Sequence, residues 1–254
     1  MLTNRMPARA AALAVVLVLA AACGDDDNSA RVAFSGPADR AAIAGGVDAT
    51  MTAEGIAIEE AGEVRDGAGH FHIVTDAECV RPGAVIARDA DHLHFGGGQS
   101  EGTIYLTPGT HKLCLQVGDG AHVALDATDT DTITVNVGIN DRDDWCAVVG
   151  EVDELITATD NSSEKEFAVK QVGYENTGRL LAQLKGGIDQ VDASARQAVT
   201  ANLDRATSIT EAWVTATDAQ DVERRLEPIF AASEGESGAA APWILKNCGV
   251  EIDS

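Results

Sequence analysis

Thr103-Ile104-Tyr105-Leu106-Thr107-Pro108-Gly109-Thr110-His111-Lys112-Leu113-Cys114-Leu115-Gln116-Val117 is the stretch that decides the fold. Ile104 and Leu106 alternate with Thr103 and Tyr105. After the Pro-Gly pair, Leu113, Leu115 and Val117 alternate with Lys112, Cys114 and Gln116. Successive side chains of a strand point to opposite faces, so each half reads as a strand with one face buried. The Pro-Gly turn predicts a hairpin or another tight connection between strands. The same period recurs outward. Val32 and Phe34 precede Ser35-Gly36-Pro37, and Val47 to Met51 make a short alternating run. Phe71 and Ile73 take the parity opposite to His70 and His72. Ile133, Val135 and Val137 alternate with Thr132, Thr134 and Asn136 in what reads as a final edge strand. Short strands punctuated by turn residues predict an immunoglobulin-like β-sandwich over residues 31–138.

Beyond it the period changes to that of a helix. Trp145, Val148, Val149, Val152, Leu155 and Ile156 fall on one face, with Asp143 or Asp144 as cap. Phe167 to Leu184 reads as helical despite Gly178. Val199, Leu203, Ala206 and Trp213 form another stripe, and Val222, Leu226, Ile229 and Phe230 a third that Pro228 is expected to kink or end. The expected fold class is therefore α+β and multidomain, an immunoglobulin-like sandwich followed by a small all-α domain over 139–254.

The N-terminus reads as an export signal. Arg5 and Arg9 are the only charges before an apolar run from Ala10 to Ala22 that ends in small residues. This run is too short to span a bilayer comfortably. With Cys23 directly after it, the segment 1–22 resembles a bacterial lipoprotein signal peptide. The resemblance implies a lipid on Cys23 and a cell-envelope, extracytoplasmic protein attached to the membrane. One departure is Ala20, which stands where that family usually has Leu. Residues 23–30, with Asp25-Asp26-Asp27, read as an extended acidic tether.

Without Cys23, four cysteines remain, an even number that in an exported chain favours disulfides. Pairing Cys79 with Cys114 and Cys146 with Cys248 puts one bridge in each proposed domain, and no Cys-x-x-Cys spacing points to a thiolate metal site. Net charge is −23, and removal of Arg5 and Arg9 with the signal takes it to −25. Such a chain repels nucleic acid, which excludes a DNA or RNA partner.

All six histidines, His70, His72, His92, His94, His111 and His122, lie in one central stretch. Two His-x-His pairs on strands place imidazoles on a common face, about 6–7 Å apart at the backbone. If the two strands are neighbours, their rings converge. His70, His72, His92, His94 and His122 are the candidate ligands, and a nitrogen donor set suits Zn or Cu(II). Asp76, Asp91, Gln99 and Glu101 are candidates to support the ligands or hold a polar molecule. The competing readings are a hydrogen-bonded structural network and a small polar ligand. Gly96-Gly97-Gly98 lacks the Lys-Ser/Thr of a phosphate loop and reads as a flexible loop or bulge beside the site. Asp126, Asp129 and Asp131 lack the Gly and closing Glu of a calcium loop and read as a solvated turn.

The strings Gly67-Ala68-Gly69-His70-Phe71-His72, Asp91-His92-Leu93-His94-Phe95-Gly96-Gly97-Gly98-Gln99-Ser100-Glu101, Pro108-Gly109-Thr110-His111, and Gly118-Asp119 before His122 are similar to the bacterial domain-of-unknown-function family 4399. The resemblance covers about Val32 to Val137 and implies an envelope β domain. Phe71 and Leu125 stand where relatives often carry further histidines. The expected function is a lipid-anchored envelope binding protein whose β domain takes a metal, with an envelope protein or small polar ligand as partner. The alternatives are a metal-dependent hydrolase or redox enzyme with Glu101 or Asp76 as base, and a structural lipoprotein without metal. No Ser-His-Asp order or zinc-protease helix motif is visible, which favours binding over catalysis.

Overall fold

The computed structural model describes residues 30–125, 130–161, 167–232 and 240–252. The signal and Cys23, the tether up to Ser29, and Asp126 and Asp129 lie outside them. Nine strands come first: β1 (Arg31–Gly36), β2 (Ala41–Ile43), β3 (Val47–Glu54), β4 (Ala57–Ile58), β5 (Ala68–Thr75), β6 (His92–His94), β7 (Glu101–Ile104), β8 (Gly109–Gly118) and β9 (Asp131–Val137). One sheet has the order β1-β3-β7 and the other β2-β9-β8-β5-β4, with β6 also paired to β5. This is the strand order of an immunoglobulin-like sandwich, with β2 running parallel to the last strand. The alternating residues read from the sequence fill the space between the sheets. Val47, Ala49, Met51 and Ile104 come from one side, and Phe71, Ile73, Leu113, Leu115, Val117, Ile133 and Val135 from the other.

One expectation is narrowed here and one corrected. Of the two alternatives for Thr103–Leu106 and His111–Val117, the structure has the tight connection between strands and not the hairpin. β7 pairs with β3 while β8 pairs with β5 and β9, so the Pro-Gly connection crosses from one sheet to the other. Nor is β9 an edge strand, because β2 covers its free side. Asp131 is used in the sandwich: its Oδ2 accepts Phe34 N–H at 2.8 Å.

Five α-helices follow among the described residues: α1 (Arg142–Asn161), α2 (Phe167–Gly186), α3 (Arg196–Thr215), α4 (Ala219–Ala232) and α5 (Ala241–Cys248). Trp145, Val148, Leu180, Leu184, Val199 and Ile244 form their core. The cap of α1 is Asp141 rather than Asp143 or Asp144. Its Oδ1 accepts Asp144 N–H (2.9 Å) while Asp144 Oδ2 accepts Asn140 N–H (3.0 Å), a reciprocal arrangement close to a capping box. Pro228 lies inside α4 without ending it. The helix is largely exposed, so water can satisfy the carbonyl that proline leaves unpaired. Among the described residues, no helix is long and apolar enough to cross a membrane.

Cys79 is bonded to Cys114 and Cys146 to Cys248, one bridge in each half. The two halves also touch. Buried Gln183 of α2 accepts Gly45 N–H (2.8 Å) and donates to the carbonyls of Gly45 and Leu106 (3.0 Å each). Gly46 N–H donates to both oxygens of Glu151 on α1 (3.0 Å each).

Candidate metal centre

β5 is buried at every position. Its odd residues, Phe71 and Ile73, enter the sandwich core, which leaves His70 and His72 together on the opposite face. β6 runs antiparallel beside it with His94 directly opposite His72. On the other flank, β8 puts Gly118 opposite His70. That glycine makes room, since a Cβ there would come within 3.0 Å of His72 Nε2. A Cβ at Gly96 would overlap the His94 ring outright.

The fourth imidazole arrives on the β8–β9 connection. Asp119 Oδ1 accepts the N–H groups of Ala121 (2.8 Å) and Val123 (2.9 Å), and Asp119 O accepts His122 N–H (2.9 Å). His122 adopts φ +66° within this turn, a left-handed conformation uncommon for a side chain of its size. Its carbonyl is pinned by Ile86 N–H at 2.8 Å.

The rings meet through Nε2. The separations are 2.9 Å for His70–His72, 3.1 Å for His70–His94 and 2.9 Å for His94–His122. Nitrogen atoms of His70, His94 and His122 all lie within 4.8 Å of one another, a group that could hold a metal ion. With bonds of about 2.0–2.1 Å, neighbouring ligand nitrogens around one ion stand about 2.9–3.4 Å apart, which is the spacing found.

Protonation favours the ligand form. Burial lowers His70 from 6.5 to about 4, aided by repulsion from His94 and His122 and opposed by Asp119. Burial likewise takes His72 to about 3, ahead of repulsion from the neighbouring imidazoles. His94 is lowered by burial, then by His122 and Arg88. Three neutral rings at pH 7 thus present lone pairs or N–H groups to one another. The buried Nδ1 atoms of His70 and His72 have no hydrogen-bond partner among the described residues. A fully bonded structural network would satisfy them.

The other sequence candidates stand elsewhere. His92 Nδ1 lies 2.6 Å from Asp89 Oδ1 and does not join the four. Asp76 lies against His111 Nδ1 (2.8 Å) and accepts Lys112 N–H (3.0 Å). Gln99 Oε1 accepts Gly97 N–H at 2.8 Å. Glu101 is exposed on β7, in the other sheet, and the carbonyl of Asp91 accepts Thr75 N–H at 2.8 Å. None of these four bonds to the converging imidazoles. The Gly96–Gly98 segment is a pinned turn rather than a flexible loop, with Gly96 O accepting Ala61 N–H (2.8 Å) and Phe95 O accepting Gly98 N–H (3.1 Å). Sequence reasoning missed Gly96, Gly118 and Asp119. Their signal lay in the strings around the histidines, but it speaks of space and turn geometry rather than of ligands.

Residues 49–138 match the family model described as Domain of unknown function (DUF4399). The N-terminal domain resembles DUF4399. The match holds all four converging histidines of this DUF4399-like domain and leaves β1, β2 and the helices outside, a narrower span than Val32 to Val137. No curated protein and no solved structure matches the chain.

Proposed function

We propose that this chain is an envelope metal-binding lipoprotein whose DUF4399-like domain holds a transition ion through Nε2 of His70, His94 and His122, with His72 as a fourth donor. The observation that carries this reading is the mutual approach of those three nitrogens within 4.8 Å. An all-imidazole donor set with no carboxylate suits Zn or Cu(II) better than calcium or magnesium. The two disulfides suit an extracytoplasmic, oxidising compartment. Lipid on Cys23 would tether the domain to the membrane, and Cys23→Ser should then release the protein and remove the lipid mass from its N-terminal peptide. Binding is favoured over catalysis because Asp76 and Glu101, the candidate bases, are engaged or placed away from the imidazoles.

The test is a titration of the chain from residue 24 onward, purified without a polyhistidine tag, with zinc and with cupric ion. We expect one tightly held ion per chain, with affinity falling at least about 100-fold when His72 and His94 are replaced together while the far-UV spectrum is kept. Absence of saturable uptake up to about millimolar metal overturns the reading and leaves a hydrogen-bonded histidine network.

A further inference from the structure

His94 has a second neighbourhood. Its ring helps to line a cavity of about 430 Å³ between the two halves of the molecule. One wall is the Arg88–His94 segment of the sandwich. The other is the face of α2 that carries Val172, Glu175, Asn176 and Arg179, residues at three- and four-residue spacing. Neither half forms this cavity alone.

Two arginines and two carboxylates line it, but they are not all paired with one another. Asp89 is engaged by His92 at 2.6 Å. Glu175 is engaged by Arg179 at 2.7 Å, and Arg179 also donates to Asn176 Oδ1 at 3.0 Å. Arg88 is left over, with no ion pair or hydrogen bond among the described residues, and its charge is felt at His94. On a chain of net charge −23, a guanidinium with no direct carboxylate partner in a cleft is a local attractor for anions, and Arg179, held by Glu175, lines the same cleft. Guanidinium groups match the planar oxygens of carboxylates and phosphates. The volume suits a small molecule, and Leu93 and Val172 give it an apolar wall.

We propose that this cleft binds a small oxyanion, a carboxylate or phosphate, held between Arg88 of the sandwich and Arg179 of α2 and resting against His94. The helical half then has a defined task, to close one side of a ligand site that abuts the histidine cluster. In one respect the proposal rests on the metal reading: an anion beside His94 neighbours the bound ion, so each should tighten the other.

The experiment titrates the purified protein with inorganic phosphate and, separately, with succinate at low ionic strength, following heat and amide chemical shifts. We expect one saturable site for at least one probe, with shifts on both the Arg88–His94 segment and α2. Arg88→Gln, an exposed substitution that leaves the core untouched, should weaken it about tenfold or more, as loss of a charge-assisted contact does. Phosphate binding alone identifies a phosphoryl ligand, and succinate binding alone identifies a carboxylate. The proposal is overturned if neither probe saturates below about 10 mM or if Arg88→Gln binds as the parent does. Repeating the succinate titration with zinc present separates the two readings. If zinc is not bound but succinate is, the metal reading falls and the anion site stands. If zinc is bound but neither probe is, the reverse holds.

Discussion

A methyl group at position 96 would occupy the space of the His94 imidazole. Gly96→Ala should therefore turn His94 away from its partners and reduce zinc affinity by about 10–100-fold, the usual cost of disturbing what orients a ligand. Competition with a chelating dye would measure it, and unchanged affinity would show that the loop yields. Protonation gives a second residue-scale prediction. His70 and His72 take up protons only near pH 4 and 3 when folded, against 6.5 for an ordinary imidazole. Between those values the unfolded chain binds more protons than the folded one, so stability rises with pH across that window. The metal-free protein should hold its full stability above about pH 6.5 and lose it progressively on acidification towards pH 3. Urea midpoints at several pH values check this, and a flat curve that His70→Gln leaves unaltered would contradict it. The histidines themselves were legible, because i, i+2 spacing states which rings share a face. What is opposite each ring was not: that Gly118 faces His70, or that Asp119 bends the chain to deliver His122, depends on strands distant in sequence.

Among the elements, the strand pattern was readable and the strand partners were not. Alternation around Pro108-Gly109 marks two strands, yet it is equally compatible with a hairpin and with a crossing between sheets. β8 settles it by pairing over six residues with β5 and seven with β9, more than the four-residue β7 could offer it. Likewise, Pro228 predicts a helix end only if its neighbours cannot accept a water-bonded carbonyl, and surface exposure removes that condition. The junction of sandwich and bundle had no sequence signal at all. Gln183 sits among the buried leucines Leu180, Leu181 and Leu184 and uses its amide on three backbone groups of two loops. Gln183→Met keeps the volume but strands those groups, and should cost about 3 kcal/mol. Chemical denaturation would report it, together with faster amide exchange at Gly45. A change under about 0.5 kcal/mol would mean that water replaces the amide.

For the molecule as a whole, apolar packing and side-chain hydrogen bonds hold the two halves to each other, while each covalent bridge stays within one half. The bridges span 35 and 102 residues. Loop closure values them at about 4 and about 5 kcal/mol respectively. Replacing Cys146 and Cys248 by serine should accordingly lower the helical half's melting temperature more than the corresponding change at Cys79 and Cys114 lowers that of the sandwich. Tryptophan fluorescence follows the first, since all three tryptophans lie after residue 139, and far-UV ellipticity in the strand band follows the second. Equal losses would mean that the halves unfold as one unit. The order of these bridges has a consequence for biosynthesis. These four cysteines are bonded consecutively along the chain, first to second and third to fourth. Were the chain to emerge N-terminus first, Cys79 would meet Cys114 before Cys146 or Cys248 had appeared. Sequential oxidation of these four then yields the observed pairing directly, with no crossed bridge among them to undo.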